Sequence, residues 1–245
     1  MTQTKTATIV ELDLVGYSDK ARELEEGFSV KLVAKLDDQI QGFVDAGLKT
    51  VKIPRSRAVF GKAGDNALVL FRRAEQAHRF VRAVHLAAGQ HNARTTLPSA
   101  QRWFRSGAAT GEVCFRREGR EQTVSGFTIT RAVRLEAAAR PGELLVDPAT
   151  FAALPPDLQH PYGPEEPIPG KRGEQFPARR CVMLPGAPPC STRAPKTSPR
   201  AAARPRSRRG QPPASNAINI RVHKLTRGQI SGMQRAKGNI NNTIS

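Results

Sequence analysis

The sequence predicts an α+β fold, a mostly antiparallel sheet with helices packed on it, followed by a basic and flexible tail. Three observations predict it. Short β-branched runs alternate with longer stretches of helical periodicity, in the order β-α-β-β-α-β-β-α-β. Turn-forming glycines separate the runs that stand next to each other. The composition then changes near Pro185, where Pro, Arg and Ser replace the apolar pattern.

The elements follow in order. Residues 5–13 read as a first strand, with Ala7-Thr8-Ile9-Val10 as its apolar run. Residues 19–47 read as one long helix, because Phe28, Leu32, Leu36, Ile40 and Val44 recur every four residues, and Gly47 suits its end. Residues 57–61 and 66–71 read as a strand pair joined by Gly61-Lys62-Ala63-Gly64-Asp65. Residues 73–93 form a second helix that buries Ala77, Phe80, Val81, Val84 and Ala88. Residues 102–115 look like a strand broken by Gly107 and Gly111, and residues 116–121 like a charged hairpin tip. Residues 127–138 form a third helix with Ile129, Ala132, Val133 and Leu135 inward. Glu143-Leu144-Leu145-Val146 is a strand. Asp147 as N-cap and Pro148 at the first position start a short helix through Leu154. Two last strands fall near 166–169 and 177–184.

Three units result: a folded domain over 1–186, a linker over 187–215, and a short interaction element or disordered tail over 216–245. The formal net charge of +18 is uneven. Residues 187–245 hold 12 Lys and Arg and no acid, which leaves about +6 for the rest. The tail has no Phe, Tyr or Trp, so it lacks a stacking platform for single strands; any nucleic-acid attraction is nonspecific. No run is apolar enough for a membrane span, and the N-terminus shows no secretory h-region. The three cysteines, Cys114, Cys181 and Cys190, are scattered, which argues against a zinc site and fits a reducing cytoplasm. His78, His85 and His91 have no carboxylate or cysteine beside them and read as ordinary helix residues.

Asp13 and Asp65 stand out. Each lies at the edge of an apolar run beside a glycine turn. A carboxylate there needs a cation or a donor. Two on neighbouring strands could seat a pair of divalent ions beneath a triphosphate.

Five segments then carry a family resemblance: Leu12-Asp13-Leu14-Val15-Gly16-Tyr17-Ser18, Gly64-Asp65-Asn66-Ala67-Leu68, Gly107-Ala108-Ala109-Thr110-Gly111-Glu112-Val113, Gly126 through Glu136, and Arg140-Pro141-Gly142-Glu143-Leu144-Leu145-Val146. Their order and spacing over residues 7–184 resemble the class III nucleotide cyclases. The resemblance implies the cyclase sandwich and two Mn²⁺ or Mg²⁺ ions per site. Asp13, Asp65 and the Leu14 backbone carbonyl would be ligands. Gly16, Tyr17 and Ser18 would form a phosphate-facing turn. Arg134 would stabilise the transition-state phosphate. Thr130, one helical turn earlier, stands where the family has Asn. The family's triphosphate lysine falls on Pro169, with Lys171 and Arg172 nearby. The resemblance further implies a homodimer with sites at the interface, Arg134 coming from the other subunit.

Base choice departs from purine-using members. Their lysine four residues before the second aspartate is Gly61 here, with Lys62 displaced by one. The partner position is Thr123, and Phe127 replaces a frequent aspartate. Losing a donor to a purine edge weakens purine selection. In this the chain resembles the pyrimidine cyclases of Pycsar antiphage systems, which make cyclic UMP or cyclic CMP and act through a cyclic-nucleotide-sensing effector. The expectation is a cytoplasmic enzyme converting UTP or CTP to a 3′,5′-cyclic nucleotide and pyrophosphate. The alternatives are an adenylate cyclase, whose Lys62 fills the lysine role, and a cyclase-like domain that binds nucleotide without turnover.

Overall fold

The computed structural model describes residues 2–63, 66–118, 121–169, 174–187 and 219–222. The first half is a βαββαβ unit. Strand β1 (Thr2–Leu14) leads through helices α1 (Tyr17–Gly27), α2 (Val30–Thr50) and α3 (Arg55–Ala58) to the hairpin β2 (Val59–Ala63) and β3 (Asn66–Phe71). Helix α4 (Ala74–Asn92) then leads to β4 (Phe104–Glu118). After it come β5 (Glu121–Ser125), α5 (Phe127–Ala138), β6 (Glu143–Val146), α6 (Pro148–Ala152), α7 (Pro156–Gln159), β7 (Tyr162–Pro169), β8 (Gln175–Val182) and β9 (Asn219–Val222).

The strands form one sheet in the order β2-β3-β1-β4-β6-β8-β7, with β5 on β4 and β9 on β5. All pairings are antiparallel except β4 with β6. This is the mostly antiparallel α+β sandwich expected.

The pleat of β1 sorts its side chains between two layers. Val10, Leu12 and Leu14 pack with Leu36, Ile40, Val44, Phe80 and Val84 of α2 and α4. Ala7 and Ile9 point the other way and pack with Ala109, Ile129, Ala132 and Leu135. Helix α5 therefore covers the second face. No helix among the described residues is long and apolar enough to cross a membrane.

The structure differs from the sequence expectations at several places. The helix expected over 19–47 is two helices. Gly27-Phe28-Ser29 breaks it, and the Ser29 hydroxyl caps α2 by accepting from Lys31 N at 3.0 Å. Phe28 thereby leaves the apolar stripe and is 73 % exposed. Gly47 ends nothing. It lies inside α2, where an added Cβ would stand 2.7 Å from Phe80 and Val84, so its role is close approach to α4. The strand expected over 102–115 is not broken by its glycines, because they serve the face and not the ladder. A Cβ on Gly107 would stand 2.2 Å from the Glu136 N, and one on Gly111 2.7 Å from Thr128 Oγ1, so both let α5 lie close.

Asp147 does cap α6, accepting from Thr150 N at 2.8 Å, and it also pairs with Arg131 at 2.8 Å. The helix α6 is shorter than expected and α7 follows it. Both last strands begin earlier than expected. The linker expected over 187–215 lies outside the described residues apart from Ala187, and the tail element outside them apart from β9.

Candidate active site

The face under α5 carries charge at one end. Residues 9, 11 and 13 of β1 share that face by alternation, so Glu11 and Asp13 extend the row that Ile9 begins. The β1–β4 register sets Asp13 directly opposite Arg105. The Arg105 guanidinium donates to the Asp13 carboxylate, with Nε at 2.9 Å and Nη2 at 2.8 Å from Oδ2. It also pairs with Glu136 of α5, Nε to Oε1 at 2.5 Å. Two carboxylates thus share one guanidinium. The Asp13 side chain is 16 % exposed and that of Glu136 8 %. Burial at this level strengthens each pairing and makes it costly to leave any member unpaired.

The sequence alone does not bring Arg105 or Glu136 to Asp13. Arg105 is brought to it only by the register of strands 92 residues apart in sequence. Glu136 was legible: it follows Ile129 by seven residues and Ala132 by four, so it sits on the apolar stripe of α5. A carboxylate on such a stripe signals a buried polar partner.

On its other side Asp13 pairs in register with Asn66, the first residue of β3. Asp65 is next to Asn66 in sequence but lies outside the described residues, so its meeting with Asp13 stays an expectation. Val15 N donates to Trp103 O at 2.9 Å, which makes odd residues at this end of β1 the ones bonded to β4. The Leu14 peptide groups therefore turn to the β3 side. A carboxylate and a backbone carbonyl are hard oxygen donors and suit Mg²⁺ or Mn²⁺. An ion there would share or displace the Arg105 contact. Among the described residues no group of three or more His, Cys, Asp or Glu side chains is arranged to hold a metal.

The expected phosphate-facing turn is built as a helix start. Gly16, at φ 71°, is the N-cap of α1 and brings no side-chain cap, so the first-turn amides after it have no intrahelical partner. Tyr17 does not face outward for a ligand: its hydroxyl donates to Asp37 Oδ1 of α2 at 2.7 Å. Ser18 is exposed. Nearby, burial and the Arg102 charge lower the Lys20 ammonium below its ordinary range. Lys20 donates to Ser99 O at 2.7 Å.

On α5, Thr130 and Arg134 stand one turn apart as expected. The Thr130 hydroxyl is buried and has no hydrogen-bond partner among the described residues. Arg134 is half-buried, with no hydrogen bond or ion pair to another described residue. Phe127 opens α5. Its exposed ring lies 6.3 Å from that of Phe176, and the Arg131 guanidinium sits 5.4 Å over it.

Gly61 and Lys62 lie in β2, opposite Leu68 and Ala67. Thr123 lies mid-strand in β5, opposite Arg116, whose carbonyl accepts its hydroxyl at 3.4 Å. Pro169 ends β7 and pairs with Gln175; Lys171 lies outside the described residues.

The histidines are structural, as expected. His78 Nδ1 lies 2.9 Å from the Tyr162 hydroxyl, and His85 Nε2 3.0 Å from Ser106 Oγ. Burial pushes the His85 imidazole down to about 3 and that of His78 to about 4. His91 bonds the Ala100 carbonyl at 3.0 Å.

No family model matches this chain, and no curated protein matches it. Solved structures do. The guanylyl cyclase Cya2 aligns with a TM-score of 0.58 at 21 % identity, over 73 % of this chain and 91 % of that one. The guanylate cyclase domain of RhGC from Catenaria anguillulae, solved with GTP, aligns at 0.57 and 14 % identity, over 73 % and 97 %. An adenylate cyclase from Trypanosoma brucei, solved as a monomer, aligns at 0.59 and 14 % identity, over 74 % and 89 %. At these identities the likeness is one of fold: the chain has the fold of guanylyl and adenylyl cyclase catalytic domains.

Proposed function

We propose that this chain is a nucleotide cyclase that converts a pyrimidine nucleoside triphosphate, UTP or CTP, to its 3′,5′-cyclic monophosphate and pyrophosphate. The observation that carries the reading is Asp13. On this fold its carboxylate stands at the sheet end beside the first residue of β3, with a second carboxylate, Glu136, on the same guanidinium. The cluster suits cations, and the helix start after Gly16 suits phosphate.

The ribose 3′-oxygen attacks the α-phosphorus, the bond to the bridging oxygen breaks, and pyrophosphate leaves. Two Mn²⁺ or Mg²⁺ ions on Asp13, Asp65 and the Leu14 carbonyl would activate the hydroxyl and neutralise the triphosphate. Arg134 holds the charge that builds on the transferring phosphate, and Thr130 donates a hydrogen bond beside it. Arg134 acts in the site of a second copy, so a two-fold homodimer has two sites.

Gly61 in place of a base-reading lysine supports the pyrimidine choice. The antiphage setting and the effector rest on the resemblance to Pycsar cyclases alone. The structural neighbours act on guanine or adenine nucleotides by name, so the shared fold leaves a purine substrate as the rival. One observation favours a domain that binds without turnover: Arg105 already occupies Asp13.

Mass-spectrometric identification of the cyclic product from an equal mixture of the four triphosphates with Mn²⁺ tests the reading. Cyclic UMP or cyclic CMP is the expected product. Cyclic AMP would move the chain to the purine users, and no product despite nucleotide binding would leave it a binding domain.

A further inference from the structure

The tail is compositionally featureless except for one stretch. Ile218, Ile220 and Val222 alternate with Asn219, Arg221 and His223, a strand period in a segment otherwise rich in Arg, Lys, Gly and Asn. Four of these residues form β9 and pair antiparallel with β5: Asn219 with Ser125, Ile220 with Val124, Arg221 with Thr123 and Val222 with Gln122. The sequence alone suggests a short interaction element or a disordered tail here. Its partner is this chain's own sheet edge.

The position of that edge matters more than the pairing. Strand β5 meets β4 on one side only, so its outer edge would otherwise present unpaired amides and carbonyls. Strand β9 fills it and also lies against β2. It therefore stands between β5, which carries Thr123, and β2, which carries Gly61 and Lys62. Those are the positions that select the base in the proposed function. Paired on β5 and next to β2, β9 adds about one strand spacing, ~4.8 Å, beside the positions proposed to read the base. A strand there excludes a two-ring purine before it excludes a one-ring pyrimidine.

We infer that β9 is an intramolecular size filter: the C-terminal strand walls the base end of the nucleotide site and sets selection for the smaller base. The inference rests on the proposed nucleotide site and adds a residue segment to it from outside the cyclase sandwich. Two lesions of different kinds remove the filter. One is truncation after Ala187. The other is Ile220→Pro in the full chain, which deletes the amide opposite Val124 and fixes a backbone angle unsuited to the ladder.

The test measures two things on wild type and both variants. Amide hydrogen exchange over residues 121–125 reports whether β9 is docked. Dissociation constants for non-hydrolysable UTP and ATP analogues report base discrimination without needing turnover. Both variants are expected to exchange β5 amides at least about tenfold faster, and to lose about tenfold or more of the preference for the uridine analogue. Faster exchange with unchanged discrimination would overturn the filter and leave β9 as an edge cover, with the cyclase reading intact. Unchanged exchange in both variants would overturn the docking itself. A wild type that binds neither analogue, nor those of CTP and GTP, would overturn the nucleotide site and the filter with it.

Discussion

The two faces of the sheet do different work. Under α2 and α4 the strand residues Val10, Leu12 and Leu14 join an apolar cluster, and the buried polar groups there, His85 and Ser106, bond each other. Under α5 the alternate residues of the same strand begin with Ile9 and end with Glu11 and Asp13, against Arg105 and Glu136. One face buries neutral polar groups in pairs within an apolar layer. The other brings charge into a place where charge is expensive, and holds it with a guanidinium that a cation could replace. Leu12 and Asp13 are adjacent in sequence and opposite in consequence. Both faces carry a buried apolar cluster, but only the α5 face ends in the ion pairs of Arg105 with Asp13 and Glu136.

That division can be broken in a graded way. The largest effect is expected at Asp65. Replacing it by alanine should lower turnover by about 1000-fold or more while the chain stays folded, as expected for loss of a metal ligand. Near-normal turnover with metal bound would contradict its role. Next comes Leu12→Ala, on the apolar face. It should cost about 2–5 kcal/mol in denaturant unfolding, through lost burial and a cavity. The base preference of the molecules that remain folded should not move. A changed product profile would show that the faces are not separable.

The smallest effect is graded with pH. His85 and His78 lie on α4, and both are held neutral by burial, with values near 3 and 4 against an ordinary 6.5. The unfolded chain binds protons that the folded one refuses. Stability is therefore complete above about pH 6.5 and falls as pH drops toward 4 and then 3, by at most about 1.4 kcal/mol per pH unit for each group. His85→Gln, which keeps a hydrogen-bonding group for Ser106 but takes up no proton there, should flatten the slope. An unchanged slope would place the acid sensitivity elsewhere.

Much of the fold was legible because it is written in local periods. The β1 run, the α4 and α5 stripes and the Asp147-Pro148 helix start all follow from spacing and capping. The misreadings share a cause: a local sign was overruled by a tertiary contact. Gly47 reads as a helix stop until Phe80 is known to lie against it, and Gly107 as a strand break until α5 is known to press on it. The four-residue stripe from Phe28 to Val44 hid the Ser29 cap.

The candidate site was legible only in part. Asp13 and Arg134 match the motif of the resembled family, and Thr130 is placed only by its spacing from Arg134. Arg105 is invisible to sequence because its relation to Asp13 is purely one of register. Residues 216–245 show a little apolar pattern, but neither the strand at 219–222 nor the edge it finds follows from it. Long-range pairing of this kind depends on geometry that no local window contains.

The central claim is that Asp13 belongs to the chemistry and not to the stability of this sheet. The most direct measurement is cyclic-nucleotide formation by Asp13→Asn at saturating Mn²⁺, alongside its unfolding midpoint. The account predicts a loss of about 1000-fold or more in turnover with the midpoint nearly unchanged, because Arg105 retains its contact with Glu136. Turnover within about twofold of wild type, by protein shown to be folded and metal-loaded, would contradict it.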